Sequence, residues 1–232
     1  MNMAKGEIVL IAGDPGSRSR GKDSLLAGIF SRIGIAAPAV AYVGAASNDN
    51  RVFYLWIKTL LKKAGCGSVR LVPLSAARAD LAKARSRLQA AEIIFISGGD
   101  VELGMNVLER TGSTALLKEL HQAGKPFIGL SAGSIILARD WVRWPAGDDA
   151  APETFSCLGL APLLCDTHAE KEDWEELKEL LRLSGPETGY GIPAGAALWV
   201  KADGTLSALG KPVPRFHFRD GRVRRGSDVN PV

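Results

Sequence analysis

Phe127-Ile128-Gly129-Leu130-Ser131-Ala132-Gly133-Ser134-Ile135-Ile136-Leu137 changes its period halfway through. The first four residues form a short apolar run, as in a strand buried on both faces. The last six fit a helical turn, and Gly-x-Ser-x-Gly stands between the two halves. A strand that stops at such a motif and re-emerges at once as a helix is the context of a nucleophile elbow. The flanking glycines allow the sharp bend. The bend lifts the Ser131 hydroxyl to the sheet edge and leaves the Ala132 N–H where it can stabilise an oxyanion. The plain alternative is a tight strand–helix turn with Ser131 as an N-cap.

Outward from this segment the same alternation recurs. Apolar runs at 7–12, 39–43, 69–74, 92–96 and 126–130 read as strands. Patterns with spacing near 3.6 at 23–33, 52–64, 79–90 and 101–122, the last broken at Gly112, read as helices. Buried strands alternating with amphipathic helices predict a three-layer α/β sandwich with a mostly parallel central sheet. Right-handed crossovers then gather the strand C-termini, and the site, on one edge. Beyond about residue 185 short strands follow, and Asp203-Gly204 and Asp220-Gly221 mark turns of C-terminal β-hairpins. No repeat or linker divides the chain, so residues 1–232 read as one domain.

Composition excludes several classes. The 232 residues are 46% hydrophobic and 23% charged, an ordinary globular balance, and no apolar run reaches the roughly 20 residues needed to span a bilayer. The N-terminus leads directly into a strand-like run, and no signal peptide is expected. Cys66, Cys157 and Cys165 are odd in number and lack Cys-x-x-Cys spacing, so they read as reduced thiols in a cytoplasmic protein. No cluster has metal-ligand spacing, and neither a metal nor a cofactor is expected. The 29 Lys and Arg exceed the 25 Asp and Glu by four, and the arginines gather near residues 215–225. Such charges read as solvated hairpin edges, not a nucleic-acid surface. Gly16-Ser17-Arg18-Ser19-Arg20-Gly21-Lys22-Asp23 nearly matches a phosphate loop, but Asp23 replaces the Mg²⁺-binding hydroxyl and would repel phosphate.

A nucleophilic serine needs a base, and the chain has three histidines. His121 sits in an amphipathic pattern and is expected at the surface, while His217 alternates with phenylalanines in a late strand. His168 ends the strand-like run 163–167, ahead of a helix expected over 171–183, and so falls on the same edge as Ser131. Ser97-Gly98-Gly99-Asp100 ends another strand, and the Gly99 N–H is the candidate second oxyanion donor. Trp141-Val142-Arg143-Trp144-Pro145 reads equally as an aromatic shelf or as packing.

Four segments in register, Ser97-Gly98-Gly99-Asp100, Gly129-Leu130-Ser131-Ala132-Gly133-Ser134, Leu158-Gly159-Leu160 leading to His168, and Gly189-Tyr190-Gly191-Ile192-Pro193, resemble the dipeptidase E/cyanophycinase family of serine peptidases. The resemblance runs from about Ile8 to Leu209. It implies a class I glutamine amidotransferase-like (flavodoxin-like) fold, with Ser131 as nucleophile, His168 as base, and Gly99 beside Ala132 in an oxyanion and substrate-binding loop that includes Asp100. The substrate it implies is a small peptide or isopeptide. Two departures stand out. Where cyanophycinases carry the triad acid, this chain has Ala194, so the acid falls instead to the loop after the nucleophile helix, to Asp148 or Asp149, with Asp140 at its start. Where dipeptidase E carries an arginine for an aspartyl substrate, this chain has the acidic stretch 168–176. If those carboxylates face the pocket, a basic or amino-terminal substrate group fits better. A catalytically silent binding homologue without a complete triad is the other class of reading, and an amidase of the amidotransferase type is disfavoured by serine in place of cysteine. The assembly is left open, a homodimer included.

Overall fold

The computed structural model describes residues 4–13, 24–145 and 151–232. The phosphate-loop resemblance at 16–23 and the acid candidates Asp148 and Asp149 lie outside the described residues.

The central sheet has seven strands. They are β1 (Ile8–Ile11), β2 (Ala39–Val43), β3 (Ser68–Val72), β4 (Ile93–Ile96), β5 (Phe127–Leu130), β10 (Ala197–Val200) and β11 (Leu206–Leu209). Their order is β11-β10-β1-β5-β4-β2-β3. The five from β1 to β3 run parallel, and β10 and β11 add an antiparallel edge. Every residue of β1, β4 and β5 is buried, the pattern of a sheet covered on both faces. The pleat divides β1 cleanly: Val9 and Ile11 join a core under α1 (Ser24–Ile33) and α2 (Arg51–Ala64), while Ile8 and Leu10 face the opposite core. That second core is filled by α3 (Leu81–Ala90), α4 (Val101–Arg110), α5 (Ser113–Gln122) and α6 (Ala132–Leu137).

The same core continues into a second sheet of β8 (Leu164–Thr167), β9 (Thr188–Ile192), β12 (Arg215–Arg219) and β13 (Arg222–Arg225), in the order β13-β12-β9-β8. Both expected hairpins form, but they part company. The turn at Asp203-Gly204 joins β10 and β11 in the central sheet, whereas Asp220-Gly221 joins β12 and β13 in the second. A smaller ribbon pairs β6 (Asp140–Arg143) with β7 (Glu153–Ser156).

Two local expectations need correction. His121 is not at the surface. It is 5% exposed, its Nε2 lies 2.7 Å from the Gly6 carbonyl, and its ring meets Phe127 edge-on. Burial holds its pKa below the ordinary value. The helix after His168 is α7 (Glu175–Ser184), four residues later than the pattern predicts. Asp173 and Trp174 take positive φ, and the buried Trp174 ring lies where a Cβ on Gly191 would stand. Anchoring Trp174 there turns residues 170–174 into a tight loop before the helix starts.

Candidate active site

Ser131 follows β5 directly, with φ 52° and ψ −122°, a strained conformation for a residue with a side chain. The surroundings enforce it. The Ser131 N–H donates to Ile11 O at 2.8 Å, and its carbonyl accepts from Ser134 N at 2.7 Å. A Cβ on Gly133 would lie 2.1 Å from Ile96 O, so only glycine lets α6 approach β4 this closely. Ser134 completes the clasp: its buried hydroxyl accepts from Ile11 N at 2.9 Å and donates to Ile11 O at 3.0 Å. The Ser131 hydroxyl does not cap α6. Its Oγ lies 2.7 Å from His168 Nε2.

His168 arrives from the second sheet, not the central one. It stands one residue beyond β8 at φ 48°, and its N–H donates to Ile192 O at 2.9 Å. Two residues on, the Glu170 carboxylate accepts from Ala194 N at 2.6 Å, and Lys211 Nζ donates to Ala194 O at 2.7 Å. Ala194 thus lacks a carboxylate of its own but anchors the histidine loop through its backbone. Gly13, at the end of β1, leaves room for the imidazole: a Cβ there would stand 3.1 Å from His168 Cδ2.

Gly99 lies in the loop after β4 with φ 145°, and a Cβ would meet Ala46 O at 1.9 Å. Glycine is therefore required twice over, by torsion and by space. Asp100 Oδ1 accepts from Leu103 N at 2.7 Å, so this side chain caps α4 while also lining the cleft. Gly99, Ser131, Ala132 and His168 share one open cleft of about 800 Å³. Trp141 and Trp144 both line it; Trp141 is buried and Trp144 half-exposed.

Asp140 does not join them. Its carboxylate accepts from Arg139 Nε at 2.7 Å and from Ser156 Oγ at 3.2 Å, and it borders a different cleft. Nor do the cysteines offer a competing nucleophile. All three are buried, and burial pushes the Cys66 and Cys157 thiols up to about 12 and Cys165 well above the ordinary value. Sequence reasoning missed Asp166, which also lines the cleft. Its carboxyl is raised to about 7, first by burial and then by Glu176, Glu172 and Glu170. The signal was present in the polar residue that interrupts the apolar run before His168. Among the described residues no cluster of His, Cys, Asp and Glu could hold a metal ion, and no helix is long and apolar enough to cross a membrane.

A serine on a strained strand–helix bend, paired with an imidazole in an α/β sandwich, defines the serine-hydrolase type of site. The particular family follows from comparison: the chain matches the model of peptidase family S51 over residues 8–207, and it belongs to that family. It is 35% identical over 99 residues to an uncharacterized peptidase of Pasteurella multocida, an alignment covering 41% of this chain and 48% of that one. To Peptidase E of Streptomyces coelicolor it is 27% identical over 161 residues, covering 63% and 65%. The chain thus spans about half to two thirds of the length of these relatives. The crystal structure of a peptidase from an acI-B1 Actinobacterium superposes with a TM-score of 0.70 at 16% identity, covering 97% of each chain. A putative Peptidase E from Listeria monocytogenes superposes with 0.65 at 18% identity, covering 89% and 99%. At these identities the likeness establishes the fold.

Proposed function

We propose that this chain is a single-domain serine peptidase that cleaves a peptide or isopeptide bond in a small substrate through an acyl-enzyme on Ser131. The observation that carries the reading is the 2.7 Å approach of Ser131 Oγ to His168 Nε2 inside an open cleft. His168 takes the hydroxyl proton as Ser131 attacks the carbonyl carbon. The Ala132 and Gly99 N–H groups hold the developing oxyanion. His168 then protonates the leaving amine, and water, activated by the same ring, hydrolyses the ester. Asp148 or Asp149 supplies the carboxylate that orients His168, and that orientation is worth on the order of 10⁴ in rate. No cofactor takes part. The protein works in a reducing, cytoplasmic setting, a reading that its three free cysteines support.

The engaged serine–histidine pair favours this reading over a silent binding homologue, which has no use for a strained serine. A dipeptide panel followed by chromatography tests it. Wild type releases products, and Ser131→Ala and His168→Ala both lose turnover while keeping their melting temperature. Hydrolysis retained by either variant overturns the assignment.

A further inference from the structure

The cleft beside Ser131 is strongly acidic. Asp100, Glu102, Asp166, Glu172, Glu175 and Glu176 line it, and Arg143 is the only Lys or Arg among the described lining residues. Arg143 is already taken, with Nη2 2.6 Å from Glu153 Oε1. Glu175 is engaged by Lys178 at 3.2 Å, and Asp100 caps α4. Glu102, Asp166, Glu172 and Glu176 have no cationic partner among the described residues.

Asp166 points to a ligand independently of this charge count. Its residue is 3% exposed. Oδ1 accepts from Thr167 N at 2.6 Å, while Oδ2 is buried with no hydrogen-bond partner among the described residues. A buried carboxylate oxygen without a donor is costly to keep. In a cleft wall, a donor carried by the substrate removes this cost for the ionised carboxylate. A protonated amine or guanidinium brings several donors and the opposite charge, and its bonds to carboxylates are of the stronger, charge-assisted kind. An acidic substrate side chain would meet only like charge.

We infer that Asp166 and Glu176 form a subsite for a basic side chain, lysine or arginine, of a peptide substrate. The inference rests on the peptidase reading for the word substrate, but the binding it asserts is separable from turnover. The Ser131→Ala chain binds without cleaving. Calorimetry with this chain measures tripeptides that carry lysine, norleucine or glutamate at each position in turn, with and without N-acetylation.

At one position lysine binds about tenfold or more tighter than norleucine, and glutamate binds more weakly than either. N-acetylation leaves that ratio standing. Adding Asp166→Asn or Glu176→Gln, each nearly isosteric and checked for folding by thermal melting, collapses the ratio toward one. The subsite is overturned if no position prefers lysine, if the preference survives both substitutions, or if N-acetylation abolishes it, which would make the terminal amine the cation recognised. Wild-type hydrolysis of the same peptides reports on the peptidase reading alone: a chain that binds lysine selectively but cleaves nothing refutes that reading and leaves the subsite standing.

Discussion

Ser131 is held at φ 52° by neighbours that leave it no alternative, and such torsions cost of order 1–3 kcal/mol. The conformation aims its hydroxyl at His168 instead of back onto its own helix. Gly99 is bound by similar constraints in the neighbouring loop after β4. Replacing it with alanine drives a Cβ into Ala46 O, 1.9 Å away, and the loop that presents its N–H must shift. Loss of one oxyanion donor typically lowers kcat by about 10²–10³. Gly99→Ala should show a loss of that size in dipeptide hydrolysis measured well below its melting temperature; a rate within a few-fold of wild type would remove Gly99 from the oxyanion site. At this scale the sequence was informative. That Ser131, His168 and the Gly99 loop meet at one cleft was legible because each stands where an apolar run ends, and chain ends of parallel strands converge. Asp140 was not: whether a carboxylate faces the site or Arg139 depends on strand pairing that a single sequence does not reveal.

Among the elements, the join between β1 and the elbow decides how firmly the nucleophile is set. Ser134 closes it with two hydrogen bonds to Ile11, one accepted and one donated, all within the core. Ser134→Ala takes the hydroxyl acceptor from the buried Ile11 N–H, while Ile11 O keeps the bond from Ser131 N; the cost is about 1–3 kcal/mol, so the urea midpoint should fall with an unchanged slope. An unmoved midpoint would mean that Ile11 finds other partners. Strand and helix positions followed the period of the sequence closely, as at Ala39–Val43 and Leu206–Leu209. Sheet membership did not. A run such as Leu164–Thr167 has the same alternation in either sheet, and only long-range pairing sends β8 to β9 instead of to the central sheet. Likewise the late start of α7 is set by the burial of Trp174 against Gly191, a contact between elements.

Across the whole molecule, the acidic cleft couples site to stability. Asp166 titrates near 7 in the folded chain, against an ordinary 3.8, chiefly because of burial. The folded chain therefore keeps a proton that the unfolded chain has released between about pH 4 and 7. Stability from this group falls as pH rises through that window, and the ionised carboxylate is a full penalty above it. Asp166→Asn removes the penalty. Its melting temperature should exceed wild type by several degrees at pH 8, at about 2–4 °C per kcal/mol for a chain of this size, and by much less at pH 5. A difference that does not vary with pH would show that Asp166 is not held protonated by the fold. The central claim is tested most directly by intact-protein mass spectrometry after reaction with a fluorophosphonate. The account predicts one adduct on wild type, mapped to Ser131, absent from Ser131→Ala and slower to form in His168→Ala by about 10² or more. An adduct on another residue, or none on Ser131 at any pH from about 6 to 9, would contradict it.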